Sequence, residues 1–188
     1  MFVESEAYAR AGLIGNPSDG YFGKTISIVI REFSAKVSLS ESDAIEFIPN
    51  EQDKAKYASL SDFKTTLNNK GYYGAERLFK ATLLRFMQYC DKNGIELHKR
   101  NFSLRYSSTI PRRVGMAGSS ALVTATMRCL LEFYTVEIPK PMLADLIWRI
   151  ENEELGIGSG LQDRVIQVYE GCVFMDFNKE TMESQGYG

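Results

Sequence analysis

Hydrophobic and polar positions alternate in the first part of the chain with the two-residue period of β-strands. Residues 7–13 form one such run, and the turn-rich segment 15–20 follows it. The β-branched run 25–30 and the alternating run 33–39 predict two further strands, and a short strand is predicted at 45–48. We therefore expect this part of the chain to build most of a β-sheet.

Further along the chain, the pattern changes to the period of amphipathic helices. Apolar residues recur at spacings of three and four over residues 74–90, and Asn93-Gly94 is expected to end that helix. A second helix is predicted from the apolar run that ends near Tyr134. Two prolines predict the start of a third helix, which covers about 139–154.

The remaining segments give shorter patterns. Strands are predicted at 102–107 and 172–177, residues 165–169 fit a strand or a helix, and residues 50–69 fit a loop followed by a short helix. Strands and helices mixed in this way predict an α/β or α+β domain. No helical pattern follows residue 177, so we expect the 188 residues to be part of a longer protein.

Composition narrows the possible functions. With 188 residues and 44% hydrophobic content, the chain can bury one sizeable core. A net charge of −2 argues against nucleic-acid or anionic-membrane binding. No apolar run is long enough to cross a bilayer, and no signal peptide is recognisable, so a cytoplasmic protein is expected.

The cysteines and the histidine do not form a pattern typical of metal ligands. Cys90, Cys129 and Cys172 are far apart in sequence and lie in apolar surroundings. We expect them to be buried free thiols of a reducing compartment. His98 is the single histidine and lies in a polar stretch, which predicts a surface position.

The most informative segment is the glycine- and serine-rich stretch before the second helix, P-R-R-V-G-M-A-G-S-S-A at residues 111–121. A loop that leads into a helix N-terminus presents unpaired N–H groups and the positive end of the helix dipole, which together suit a phosphate group. The hydroxyls of Ser119 and Ser120 could hold a phosphate oxygen or a magnesium ion. An ordinary serine N-cap explains the same residues equally well.

Two other segments carry charged residues beside turns. Residues 10–19 lead from a strand into a tight loop, with Arg10 at one end and Asp19 at the other. A surface arginine followed by an Asx-turn is the simpler explanation. Residues 150–164 begin with three glutamates at a helix end, at positions 151, 153 and 154, and continue through glycines to Asp163.

The glutamates are typical of a solvated helix face, but acidic residues at a helix C-terminus oppose its dipole, which indicates a cation nearby. A hydroxyl-bearing loop, a glutamate, an aspartate and an arginine are together the groups that phosphoryl transfer needs.

The three segments resemble, in the same order, the motifs of the GHMP kinases, which include galactokinase, homoserine kinase, mevalonate kinase and phosphomevalonate kinase. Residues 111–121 resemble the second motif, P-x-x-x-G-L-G-S-S-A-A. Residues 10–19 resemble the galactokinase run G-R-V-N-L-I-G-E-H-T-D, and residues 151–163 resemble E-N-E-x-x-G-x-x-C-G-I-M-D.

Plant-type glucuronokinases are still more similar, since they carry runs close to G-N-P-S-D-G-Y-F-G-K-T-I-S, G-S-S-A and G-L-Q-D-R-V of this chain. The resemblance implies an α+β fold of the ribosomal protein S5 domain 2-like type, a mixed sheet with helices on one face. It also implies that residues 1–188 form the N-terminal, ATP- and substrate-binding domain, and that a C-terminal domain belongs to the full-length protein.

The resemblance further implies roles for individual residues. Asp163 would be the catalytic carboxylate, as a base or as the group that orients the anomeric hydroxyl, and Arg10 would pair with it. Ser120 and Glu151 would coordinate Mg²⁺, with Glu153 and Glu154 close enough to leave the choice of glutamate open. Residues implied to contact ATP are Pro111, Gly115, Met116, Ala117, Gly118, Ser119 and Ser120. Those implied to contact the sugar are Asn16, Asp19 and Asp163.

These roles predict an ATP- and Mg²⁺-dependent kinase that phosphorylates a small-molecule sugar, with glucuronic acid as the first candidate. Arg164, or an arginine at 112 or 113, could pair with a uronate carboxylate. Asn16-Pro17 replaces the Glu-His of galactokinases, which argues against galactose. The alternatives are another GHMP kinase acting on a heptose, galactose or mevalonate, and a non-catalytic sugar or nucleotide sensor. A monomer or a homodimer is expected.

Overall fold

The computed structural model describes residues 1–50 and 74–185 of the chain. Five strands are present in these ranges: β1 Phe2–Ile14, β2 Lys24–Ser42, β3 Glu46–Phe47, β4 Asn101–Ser108 and β5 Cys172–Asp176. Five α-helices accompany them: α1 Ala75–Lys92, α2 Gly118–Tyr134, α3 Lys140–Arg149, α4 Gln162–Tyr169 and α5 Lys179–Gln185. The loop and short helix predicted at 50–69 lie, except for residue 50, outside the described residues.

The strands form a single mixed sheet, in the order β1-β2-β4-β3, and β5 pairs with β2 as well. The long β2 is antiparallel to β1 along most of its length. It pairs with β5 near its start, through residues 24–28, and with β4 further on, through residues 35–42. The short β3 is parallel to β4, which makes the sheet mixed.

The two strands predicted at 25–30 and 33–39 are one strand in the structure, so that prediction was wrong. The pairing with β1 shifts between Tyr8, opposite Ser34, and Ala9, opposite Ile30. Residues 31–33 of β2 therefore have no partner in β1, which is a β-bulge. The interrupted alternation in the sequence marks this bulge and not the end of a strand.

The helices cover one face of the sheet, as the predicted fold class requires. Helix α2 packs against β1 and β2 and also contacts α1. Eleven of its 17 residues are buried, because a helix between a sheet and a second helix layer is apolar on most sides. Alternate residues of the sheet supply the facing side of the core: Val3, Ala7, Ala9, Ala35, Val37, Leu39, Phe102, Leu104 and Tyr106.

The end of the described chain differs from the prediction. Residues 165–169, which fitted a strand or a helix, belong to α4, and β5 follows as predicted. The expectation that no helix comes after this strand was wrong, since the short helix α5 does. No helix among the described residues has the length and apolarity that crossing a membrane requires.

Two expectations about single residues were also wrong. Cys90 and Cys129 are buried free thiols, but Cys172 is exposed because it lies on the face of β5 that none of the described helices covers. His98 is half-buried and not on the open surface. Its ring stacks on Tyr134 at 4.6 Å between centroids, and Nε2 lies 2.8 Å from the carbonyl oxygen of Phe133.

Candidate active site

An arginine of β1 and an aspartate of α4 form the centre of the site. Arg10 Nε donates a hydrogen bond to Asp163 Oδ1 at 2.6 Å, across 153 residues of sequence. Both side chains are largely buried, with 13% and 19% exposed. Arg10 Nη1 also donates to the carbonyl oxygen of Gly115, at 3.0 Å. The same guanidinium therefore joins the carboxylate to the glycine-rich loop.

The loop before α2 has an alternating backbone conformation. Its positive φ angles fall at Arg113 (62°), Gly115 (74°) and Ala117 (59°), with none at the residues between them. Successive peptides that alternate in this way direct N–H groups into a common concave surface, a nest that binds anions. The loop thus has the backbone geometry of an anion site. Pro111, at its start, lines a cavity of about 360 Å³ together with its neighbours in 108–112.

The serines of the loop do not cap α2. The helix begins at Gly118, directly after Ala117, and within residues 1–50 and 74–185 no side chain caps its first turn. The hydroxyls of Ser119 and Ser120 instead donate to the two oxygens of Glu151, each at 2.8 Å. The N-cap interpretation of the sequence is therefore wrong, and the first-turn N–H groups of α2 have no side-chain cap.

Glu151 is held from the other side by an arginine. It lies in the π-helical turn Ile150–Glu154 that continues α3, and it is 0% exposed. Arg164 of α4 donates from Nη2 to Glu151 Oε2 and is 2% exposed, so the two form a buried ion pair. The expectation that Arg164 pairs with the carboxylate of a uronate is wrong, because the side chain is 2% exposed and its two Nη atoms bond the Gly160 carbonyl oxygen and Glu151.

The other two glutamates of the acidic run lie away from the serines. Glu153 and Glu154 form ion pairs with Arg85 of α1, at 3.2 and 3.0 Å, and Glu153 also pairs with Arg149. The cation inferred from the unfavourable helix dipole is thus present as arginine side chains. Of the three glutamates, Glu151 is the one placed beside the loop.

Ser120 and Glu151 are the residues of this site that could hold a magnesium ion. Ser120 Oγ and Glu151 Oε2 are 2.8 Å apart, close to the roughly 3 Å between neighbouring oxygen ligands of octahedral Mg²⁺. Among the described residues, no cluster of three or more histidine, cysteine or acidic side chains could hold a metal by itself. A partial set of oxygen ligands suits magnesium, which usually keeps waters and phosphate oxygens.

The connection between β1 and β2 docks onto the start of α4. Asp19 Oδ2 accepts a hydrogen bond from the backbone N–H of Gln162 at 3.1 Å. The approach to Gly160 is so close that a Cβ there would lie 2.0 Å from the same oxygen. The side chain of Asn16 lies over Gly12, and Gly12 follows Arg10 by two residues in β1. The two residues of this connection that were predicted to contact the sugar, Asn16 and Asp19, are therefore near the Arg10–Asp163 pair.

Two buried glutamines of α4 were missed in the sequence analysis. Gln162 is 0% exposed, and neither polar atom of its amide is hydrogen-bonded to a described residue. Gln167, also 0% exposed, donates to the carbonyl oxygens of Tyr8 and Ala117. The available signal was their position: Gln162 directly precedes Asp163, and Gln167 follows it by about one helical turn. The other buried residues of the helix are Arg164, Ile166 and Val168.

Comparison with known proteins identifies the family. The family model described as GHMP kinases N terminal domain matches residues 77–171, about half of the chain. This chain belongs to the GHMP kinases. The match includes the glycine-rich loop, the Ser120–Glu151 contact and Asp163, whereas Arg10, Asn16 and Asp19 precede the matched residues.

Two plant proteins are similar along nearly the whole chain. Glucuronokinase 1 of Arabidopsis thaliana is 46% identical over 188 residues, which covers 99% of this chain and 52% of that protein. Probable glucuronokinase 2 of the same organism is 48% identical, with coverage of 98% and 51%. The chain thus spans about half the length of these curated relatives.

Solved structures support the fold. The crystal structure of a D-glycero-D-manno-heptose 1-phosphate kinase from Bacteriodes thetaiotaomicron superposes with a TM-score of 0.73 at 20% sequence identity, covering 96% of this chain and 57% of that chain. The mixed sheet with helices on one face is therefore the fold of the N-terminal part of GHMP kinases.

Proposed function

We propose that this chain provides the nucleotide- and acceptor-binding surfaces of an ATP-dependent sugar kinase, with glucuronic acid as the first acceptor to test. The observation that carries the proposal is the position of Arg10, which binds Asp163 Oδ1 and the carbonyl oxygen of Gly115 with one guanidinium. A carboxylate is thereby held beside an anion-binding loop. The names of the two plant relatives support glucuronic acid as the acceptor.

The contacts of Asp163 support different tasks for its two carboxylate oxygens. Oδ1 accepts the hydrogen bond from Arg10, whereas Oδ2 lies 3.8 Å from Arg164 Nη1, and no described residue donates a hydrogen bond to it. Oδ2 would accept the hydrogen bond of the acceptor hydroxyl. That hydroxyl oxygen attacks the γ-phosphorus, the bond between this phosphorus and the bridging oxygen of ADP breaks, and the hydroxyl proton passes toward Oδ2.

The loop would bind the phosphates through its backbone. The N–H groups of Gly115–Ser120 and the N-terminus of α2 face the triphosphate, and Arg10 offsets the negative charge that develops during transfer. Ser120 and Glu151 would hold magnesium, which screens the charge of the phosphates. Asn16 and Asp19 would contact sugar hydroxyls from the β1–β2 connection.

Replacing Asp163 by Asn tests the proposal. ADP release is measured with ATP, Mg²⁺ and a panel of glucuronic acid, galactose, heptoses and mevalonate, both for this chain and for a longer protein that contains it. We expect phosphorylation of glucuronic acid. Asp163→Asn should lower turnover by about 10³-fold or more while ATP binding changes little, because the amide cannot accept the proton.

Asp176→Asn is the matched control, since this carboxylate lies on β5 and pairs with Lys24 at the surface. It should leave turnover unchanged. Absence of phosphorylation of every acceptor by the longer protein contradicts the proposal. Nucleotide and sugar binding without turnover would instead indicate a non-catalytic sensor. Phosphorylation of a different acceptor would support the proposed kinase activity and contradict glucuronic acid as its substrate. The C-terminal domain of the full-length protein and its state as a monomer or homodimer stay predictions.

A further inference from the structure

The phosphate loop is held in a conformation that its own sequence does not favour. Ala117 has φ 59° and ψ 41°, the left-handed region that costs free energy for any residue with a Cβ atom. Such residues persist where surrounding contacts determine them, and they concentrate at functional sites. Some contact from outside the loop must therefore stabilise this peptide.

Gln167 of α4 provides that contact. Both hydrogens of its amide are used: Nε2 donates to the carbonyl oxygen of Ala117 at 3.0 Å and to that of Tyr8 at 3.1 Å. The side chain is 0% exposed, so water does not compete for these bonds. Tyr8 lies at the register shift between β1 and β2. One side chain thus joins α4, the part of β1 opposite the bulge of β2, and the loop.

Three consecutive loop carbonyls are held in this way. Gly115 accepts from the Arg10 guanidinium, Met116 accepts from the Arg10 backbone N–H at 3.4 Å, and Ala117 accepts from Gln167. Contacts that fix these carbonyls also fix the peptide planes and the directions of the N–H groups, which the alternating φ angles turn into a nest.

The helix α4 also carries the acceptor-side carboxylate. Asp163 and Gln167 are four residues apart, so they lie on the same face of α4, one turn from each other. Asp163 reaches Arg10, and Gln167 reaches the last residue before α2. The same short helix therefore sets the position of the carboxylate and that of the loop.

We infer that Gln167 is a positioning residue for the nucleotide: its amide holds the phosphate loop in its anion-binding conformation and in register with Asp163. This inference rests on the proposed kinase function, because it assigns the loop to the triphosphate. Gln167 is 0% exposed, so it acts indirectly, through the carbonyl oxygens of Ala117 and Tyr8.

Gln167→Met tests the inference, since it keeps the volume of the side chain and removes both donors. Thr126→Val is the control, because Thr126 is buried in α2 and its hydroxyl bonds only the Leu122 carbonyl, away from the loop. Two readouts are taken on the whole chain: amide hydrogen exchange of residues 115–120 without ligand, and the affinity for a nonhydrolysable ATP analogue with Mg²⁺.

Loss of two buried hydrogen bonds should weaken nucleotide binding by about tenfold and speed loop exchange by at least as much. The Thr126→Val control should change neither. Where Gln167→Met does not fold, Gln167→Asn serves, since the shorter amide cannot span both carbonyls. Loop exchange and affinity within twofold of the wild-type values, in a folded variant, overturn the inference. Faster loop exchange in a chain whose wild type binds no nucleotide keeps the positioning role and rejects the kinase proposal.

Discussion

The buried ion pair between Glu151 and Arg164 predicts a large loss of stability when either partner is removed. The two side chains are 0% and 2% exposed. At an effective dielectric constant of about 20, two unit charges about 4 Å apart attract by about 4 kcal/mol. Removing one partner leaves the other charge buried, so Glu151→Gln and Arg164→Met should each lower the free energy of unfolding by about 3 kcal/mol.

The double variant should recover part of this loss, because neither charge then remains. A coupling of about 4 kcal/mol leaves it about 2 kcal/mol less stable than the wild type. Losses of about 2–3 kcal/mol are a large fraction of the 5–15 kcal/mol by which a whole domain is usually stable. The exposed pair Glu76–Lys80 in α1 is the matched control, with an expected coupling of about 0.5 kcal/mol or less.

Urea unfolding measures all the variants. The single tryptophan, Trp148, is half-buried and donates to the Ser159 carbonyl at 2.7 Å, so its fluorescence reports on the region next to the ion pair. Circular dichroism follows the helices, and coincident transitions support a two-state analysis. If the losses in the two single variants are additive, with a coupling below about 1 kcal/mol, the reasoning from burial and charge is wrong.

Two further predictions concern backbone strain and thiol reactivity. Ala117→Gly should raise the free energy of unfolding by about 0.5–1 kcal/mol in urea, because relief of the left-handed strain exceeds the added entropy of the unfolded chain; a less stable variant would contradict the strain. Burial raises the pKa of the Cys129 thiol to about 12 and also raises the pKa of Cys90, whereas Cys172 is exposed. Ellman's reagent at pH 8 should therefore titrate one thiol per native chain and three after denaturation. Cys172→Ser should remove the reaction of the native protein. Labelling of two or more thiols in the native protein would contradict the expected order of thiol reactivity.

Most of the elements were predictable because their signals are local. The three-and-four spacing of apolar residues predicted α1 almost to its ends, and the alternation at 102–107 predicted β4. The long β2 was not predictable as one strand, since a bulge interrupts the alternation of apolar and polar residues in the same way as the end of a strand does. Whether residues 165–169 form strand or helix depends on their packing, which the pattern does not contain.

The candidate site divides in the same way. Residue types and motif order pointed to Arg10, Asp163, Glu151 and the loop before α2 as parts of one site. The choice among the three glutamates was open in the sequence, and the structure separates Glu151 from the others by burial.

The sequence by itself determined which residues are candidates for the chemistry and in what order they occur, because glycine and serine spacing, charge type and hydrophobic period are properties of neighbouring residues. Only the tertiary structure decided what those residues contact: Arg10 meets Asp163 across 153 positions, and Arg164 turns inward to Glu151. It also decided that Gln167 donates a hydrogen bond to a loop residue 50 positions away. Contacts of this kind arise from the packing of α4 against β1 and α2, and no short stretch of the chain encodes that packing alone.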